Sequence, residues 1–159
     1  MNNIVKVCFL VFSFFATVIS CSSSYDGLTE EIVKTVLFET ENAIKNMDAD
    51  RLSDALSDDV IIVINMNMQG QNEVIRPSKQ EYIAMLKQGW SMVKNHEYNS
   101  SILKIDIQGN KAIVTADVSE SMTIQGRNMT SETNEELTIE LINAKPLITK
   151  VVGHIRYFT

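Results

Sequence analysis

The stretch that decides the fold is Ala43-Ile-Lys-Asn-Met-Asp-Ala-Asp-Arg-Leu-Ser-Asp-Ala-Leu-Ser-Asp-Asp-Val-Ile-Ile-Val63. It carries the chain out of one helix, through an aspartate-rich break and a short second helix, into a strand. Upstream, Val33, Val36/Leu37, Thr40, Ile44 and Met47 recur at three- and four-residue intervals, which is one face of a helix. Thr29, followed by Glu30 and Glu31, supplies its N-cap and a negative first turn. Met47 to Asp50 breaks the pattern, and Asp50 is expected to cap the short helix, Arg51 to Leu56, which closes at Ser57-Asp58-Asp59. Val60 to Ile64 is apolar on both faces and β-branched, so it predicts a strand buried at least in part on both sides.

Beyond it, Asn65-Met66-Asn67-Met68 alternates, and Gly70 turns the chain into a short strand around Glu73 to Arg76. Pro77 stops that strand. Ser78 caps a third helix whose stripe is Tyr82, Met85/Leu86, Gly89/Trp90 and Val93. From about Glu97 onward the pattern is β, divided into four long strands by Gly109-Asn110, Gly126-Arg127 and a turn containing Pro146. A two-residue turn at Gly109-Asn110 sets Ile105 opposite Val114 and Leu103 opposite Ala116. One at Gly126-Arg127 sets Ala116 opposite Leu137 and Val114 opposite Ile139. The three strands then gather their aliphatic residues on one face, with Lys104, Asp106, Thr115, Asp117, Thr138 and Glu140 on the other, and a one-residue slip would undo this. In the last strand a three-residue loop or a bulge is expected, bringing Val151, Gly153, Ile155 and Tyr157 onto the apolar face. The sum is an α+β domain, a curved antiparallel sheet of about six strands wrapped on three N-terminal-side helices.

The chain has 159 residues, 45% apolar and 21% charged. That composition fits one globular domain and excludes collagen-like, disulfide-framework and wholly disordered chains. A net charge of −6 offers no basic surface for counterion release, which excludes nucleic acid as a partner.

Residues 1–20 read as a signal peptide, with Lys6 before an apolar run from Val7 to Ile19. The run fits a secretory h-region of ~7 to 15 residues and falls short of the ~20 that a spanning helix needs. It ends at Val18-Ile19-Ser20-Cys21, which resembles the lipobox of bacterial lipoproteins: an aliphatic residue, then a small one, directly before cysteine. The resemblance implies a diacylglycerylated Cys21 at the mature N-terminus, residues 21–28 as a lipidated tether, and residues 29–159 as the domain. It also implies attachment to a membrane at the bacterial cell envelope, facing the periplasm or the exterior. The alternatives are an ordinary signal peptide cut nearby and an uncleaved signal anchor. Cys8 leaves with the signal, so no disulfide forms. The remaining 139 residues carry a formal −7, so attachment rests on acyl chains and not on attraction to anionic lipid.

The quoted stretch resembles the nuclear transport factor 2-like superfamily, the cone fold shared with ketosteroid isomerase, scytalone dehydratase and the SnoaL-like polyketide cyclases. It is similar to the family's helix, Asp-containing break, short helix and Asp-Asp-Val strand opening. The order of elements through Gly153-His154-Ile155-Arg156-Tyr157-Phe158 matches as well. Members include enzymes, dimerisation modules and binding proteins, so the resemblance implies a fold and not one chemistry.

On the apolar face, the expected register sets Asn99 opposite Glu120 and Glu120 opposite Thr133, with Glu135 two residues along and Tyr157 nearby. Such carboxylates could act as a general base beside a phenol donor. The preferred reading is plainer: these positions lie toward the Gly126 hairpin tip, past the core, where the inner face meets water. Met66, Met85, Trp90, Asn99 and Met122 are candidates to line an adaptable pocket at the open end of the cone. His154 alternates with Lys150 and Arg156 and is read as solvated, and His96 as a loop residue without a partner. Two scattered histidines give no metal-ligand spacing, Asp48 and Asp50 are explained by helix capping, and no cofactor motif is present. The leading expectation is therefore a non-catalytic envelope domain that binds a small apolar ligand or a protein partner. The alternatives are a proton-transfer enzyme using Glu120 or Glu135 with Tyr157, and a module that forms homodimers through the outer face of its sheet.

Overall fold

The computed structural model describes residues 27–68 and 70–158. The signal peptide, Cys21 and most of the tether lie outside the described residues. Among these residues no helix is long and apolar enough to cross a membrane.

Helix α1 (Glu30–Lys45) is capped by Thr29, whose side chain accepts a hydrogen bond from the Ile32 amide at 3.3 Å. Val33, Val36 and Ala43 form its buried stripe. Helix α2 (Ala49–Ala55) is capped by Asp48 and not by Asp50: Asp48 Oδ1 accepts from Arg51 N at 3.0 Å. The break itself is made one residue earlier, where Met47 takes a left-handed φ of 52° and redirects the chain. Strand β1 (Leu56–Met68) follows without a turn, so Ser57-Asp58-Asp59 belongs to the strand. Strand β2 (Gln71–Ile75) folds back on β1, and helix α3 (Lys79–Trp90) starts at a capping box between Ser78 and Glu81.

Strands β3 (Val93–Gln108), β4 (Lys111–Ile124), β5 (Arg127–Ile142) and β6 (Lys145–Phe158) complete a six-stranded sheet in the order β2-β1-β6-β5-β4-β3. The sheet is mixed. All its pairs are antiparallel except β1 and β6, which run parallel because the whole meander, not a hairpin, returns the chain to β1. Val33, Val114, Ile139 and Ile148 are fully buried where α1 crosses the sheet. Leu28 is buried with them, and its amide donates to the Gly109 carbonyl at 3.2 Å, so the domain begins before Thr29.

Tight turns and bulges set the register of the meander. Ile105 does face Val114, but β3 bulges at Leu103, which leaves Leu103 exposed and puts Ile102 opposite Ala116. The β4–β5 turn is Gln125-Gly126, both left-handed, with φ of 51° and 80°, the pairing that a tight hairpin of matching twist requires. The turn therefore falls one residue earlier than Gly126-Arg127. Every β4–β5 partner shifts by two residues while the faces are kept: Val114 lies opposite Leu137, and Ala116 opposite Glu135. In β6 a bulge at Thr149 puts Val151, Gly153, Ile155 and Tyr157 on the inner face, as the alternation demanded.

Candidate functional site

The two-residue shift moves Glu135 from the hairpin end of the sheet to the level of the core. Its cross-strand neighbours are Ala116 on β4 and Gly153 on β6, and the short side chain of Ala116 lies in the wall of a space above the sheet. Helix α1 spans this space with Leu37, Phe38, Thr40, Glu41 and Ile44. The result is a cavity of about 360 Å³, with aliphatic walls from Leu52, Ile102, Leu137 and Val151 and a polar corner formed by Glu135, Tyr82 and Tyr98. Phe38 and Ile102 line the cavity and are also well exposed, so the way in lies between α1 and β3.

Burial alone pushes the Glu135 carboxyl up from 4.5 to about 7, and no hydrogen bond or cation among the described residues offsets it. Near neutral pH it is thus divided between acid and carboxylate. The phenols of Tyr82 and Tyr98 are pushed far up, first by burial and then by the negative charge of Glu135. Both stay protonated and can donate. The third carboxylate at the cavity, Glu41, is already engaged: Ser100 Oγ donates to its Oε2 at 3.1 Å, and Lys45 Nζ lies 2.6 Å from its Oε1. Glu135 is the free acid–base group of this cavity.

Glu120 lies deeper toward the hairpin, opposite Tyr98 on β3 and Ser131 on β5, not opposite Asn99 and Thr133. The bulge at Leu103 causes the first change and the shifted turn the second. His96 is in strand β3, not in a loop. Its side chain is 2% exposed, and Nε2 lies 2.6 Å from Glu120 Oε1. A buried Nδ1 without a donor is better tolerated as a bare lone pair than as an unanswered N–H, so Nε2 donates to the carboxylate in the neutral ring.

Tyr157 pairs with Ser131, and burial first, then the charge of Glu120, raises its phenol; it does not line the Glu135 cavity. Met66, Met85, Trp90, Asn99 and Met122 do not line it either. Met66 faces the Thr133 level through Ile155, and Met85 is exposed on α3. Trp90 lies against the α1–α2 junction, Met122 lies opposite His96 and Met129, and Asn99 is on the outer face with His154. His154 is exposed, as the alternation with Lys150 and Arg156 indicated. Cys21 is outside the described residues. Among these residues no group of three or more His, Cys, Asp or Glu side chains could hold a metal ion.

With the geometry in place, the chain can be set beside known proteins. A family model described as "Putative lumazine-binding" matches residues 29–128, more than half of the sequence. The chain belongs to this family. The matched region runs from α1 through β4, so it includes Tyr82, Tyr98 and Glu120 and stops short of Glu135. No curated protein matches the sequence.

Solved structures match over nearly all of the described domain. A conserved protein from Planctomyces limnophilus has a TM-score of 0.70 at 17% identity, covering 81% of this chain and 97% of its own. A ketosteroid isomerase-like protein from Erwinia carotovora atroseptica scores 0.63 at 12% identity, over 83% and 99%. A type 3 hexachlorocyclohexane dehydrochlorinase from Novosphingobium barchaimii scores 0.65 at 12% identity, over 81% and 87%. At such identities they establish the fold, which is the nuclear transport factor 2-like cone. That fold houses both binding proteins and enzymes.

Proposed function

We propose that the cone interior binds a small, largely apolar organic molecule carrying one polar edge, with Glu135 as the group that meets that edge. The observation that carries this reading is the free Glu135 carboxyl facing an apolar-walled cavity of about 360 Å³. A volume at the small end of ligand pockets suits a compact ring system. Glu135 offers an acceptor or, protonated, a donor, and Tyr82 and Tyr98 offer donors. A planar heterocycle with an N–H beside a carbonyl satisfies all of them together. Lumazines have that edge, and the family description points to the same class.

Fluorescence titration with lumazine tests it. Saturable binding is expected, weakened at least about tenfold by Glu135→Gln, which replaces a charge-assisted hydrogen bond by a neutral one. Ala116→Trp, which fills the cavity, should abolish it. Binding that ignores both substitutions would place the ligand elsewhere.

A second reading is favoured by the position of Glu135 near 7, where a carboxyl both takes and returns a proton at neutral pH. In it Glu135 removes a proton next to a carbonyl that Tyr82 or Tyr98 polarises. Enzyme-dependent deuterium uptake at the α-carbon of a cyclic ketone, lost in Glu135→Gln, would support it; uptake equal to the buffer rate would exclude it for that substrate.

We also propose that Cys21 carries the lipid that holds the domain at the bacterial envelope. The apolar run and the Val18-Ile19-Ser20-Cys21 cleavage pattern support this. Cys21→Ala should move the protein from the membrane to the soluble fraction, and unchanged membrane retention would refute it.

A further inference from the structure

On the opposite face of the sheet lies a larger concavity, a groove of about 900 Å³ that draws residues from all six strands. Two cross-strand rows form its floor. Asn65, His154, Asn134 and Asp117 stand in one, and Asn67, Arg156, Glu132, Ser119 and Asn99 in the next. Asparagine is depleted in strands because its side chain competes for the backbone, yet five strand positions here, Asn65, Asn67, Asn72, Asn99 and Asn134, carry it on one face. Local propensity is overridden at one place, which is how a site betrays itself in an otherwise consistent sequence.

The chemistry of the groove narrows the ligand by elimination. Its cation is already answered, since Arg156 donates to Glu132 at 2.9 Å, so it offers no free positive charge to an anion. Asp117 accepts from Asn134 Nδ2 at 3.0 Å, and no metal-holding cluster exists among the described residues. Val74 is an exposed aliphatic side chain at one end, and Met66, Val118 and Ile155 also border the groove, so carbon surface and polar groups are mixed along it, which suits a ligand with both hydroxyls and C–H faces better than a purely apolar one. What remains is a dense set of amides and hydroxyls with three carboxylates, Glu73, Asp117 and Glu132, which disfavour an anion and can accept from hydroxyls; the set is partly fixed in place, since Asn67 Nδ2 donates to Asn72 Oδ1 at 2.7 Å and Asn134 is held by Asp117. Each amide presents one acceptor and two donors in a plane, the complement of neighbouring hydroxyls on a sugar ring.

We propose that this outer groove is a binding site for a short, neutral oligosaccharide. It works independently of the Glu135 cavity. The full-length protein, in a detergent without a sugar headgroup, is screened against immobilised neutral and charged glycans and then titrated calorimetrically with chitotetraose, maltotetraose and cellotetraose. Saturable binding to a neutral glycan is expected. It should weaken about tenfold in Asn134→Ala and in Asn99→Ala, as loss of a well-placed hydrogen bond implies, and stay unchanged in Glu30→Gln on α1. Asn99 is exposed near the edge of the sheet, so Asn99→Ala keeps the test valid even if Asn134→Ala fails to fold. Three results overturn the proposal: no saturable binding to any neutral glycan, binding that follows glycan charge, or a dimer in solution that Asn134→Arg splits, which would assign the groove to a second copy of the chain.

Discussion

Replacing Glu135 by glutamine removes one ionisable group and keeps its size. In the unfolded chain this carboxyl titrates near 4.5, and in the folded domain at about 7. The folded value is the higher one, so the favourable contribution is complete below pH 4.5 and is lost as the pH rises through 7, because ionisation then favours the unfolded chain. At about 1.4 kcal/mol per pH unit the loss reaches up to about 3 kcal/mol, a large share of the roughly 5–15 kcal/mol by which a domain is stable. Glutamine cannot ionise and escapes the loss. Urea unfolding of the full-length wild-type and Glu135→Gln proteins, from about pH 5 to about pH 8.5, should therefore diverge. The variant gains on the wild type across that window, by up to about 3 kcal/mol at its alkaline end. Every other titrating group is common to both proteins and cancels. Stability curves that stay parallel across the window would refute the enclosure of Glu135.

Two further substitutions test the parts of the fold that position the site. Asp48→Ala should cost about 1 kcal/mol through loss of the α2 cap, whereas Asp50→Ala, whose contact is an exposed pair with Lys87, should change little in the same urea assay. Ala144 holds a left-handed φ of 62° in the β5–β6 turn, so Ala144→Gly should raise stability by about 0.5–1 kcal/mol, and a loss would show that this turn is not strained.

The helices, the break at Met47, the capping role of Ser78 and the four-strand meander were all legible, because each rests on local periodicity or on one residue's chemistry. The inner and outer faces of β4, β5 and β6 were legible for the same reason, whereas before Leu103 in β3 the bulge inverts them and puts Asn99 outside. Two features that decide the site were not. The choice between Gln125-Gly126 and Gly126-Arg127 as turn depends on whether glutamine accepts a positive φ, and it moves Glu135 by two residues without changing its face. The bulge at Leu103 likewise has no glycine or proline to announce it, yet it exchanges Asn99 for Tyr98 opposite Glu120 and brings His96 into contact with that carboxylate. Tyr82 was seen as part of a helical stripe; its role at the cavity follows from how α3 meets the sheet, which periodicity does not encode. Gly153 was placed on the inner face correctly, opposite Glu135.

Glu135 is proposed as the unpaired carboxyl that meets a ligand inside the cone. Carboxyl ¹³C NMR titration of Glu135 in the full-length protein, with and without the ring ligand that binds the cavity, tests this most directly. The midpoint should lie near 7 in the free protein and fall when the ligand donates a hydrogen bond to the carboxylate. A free-protein midpoint near 4.5, or one that a bound ligand leaves unmoved, would contradict it.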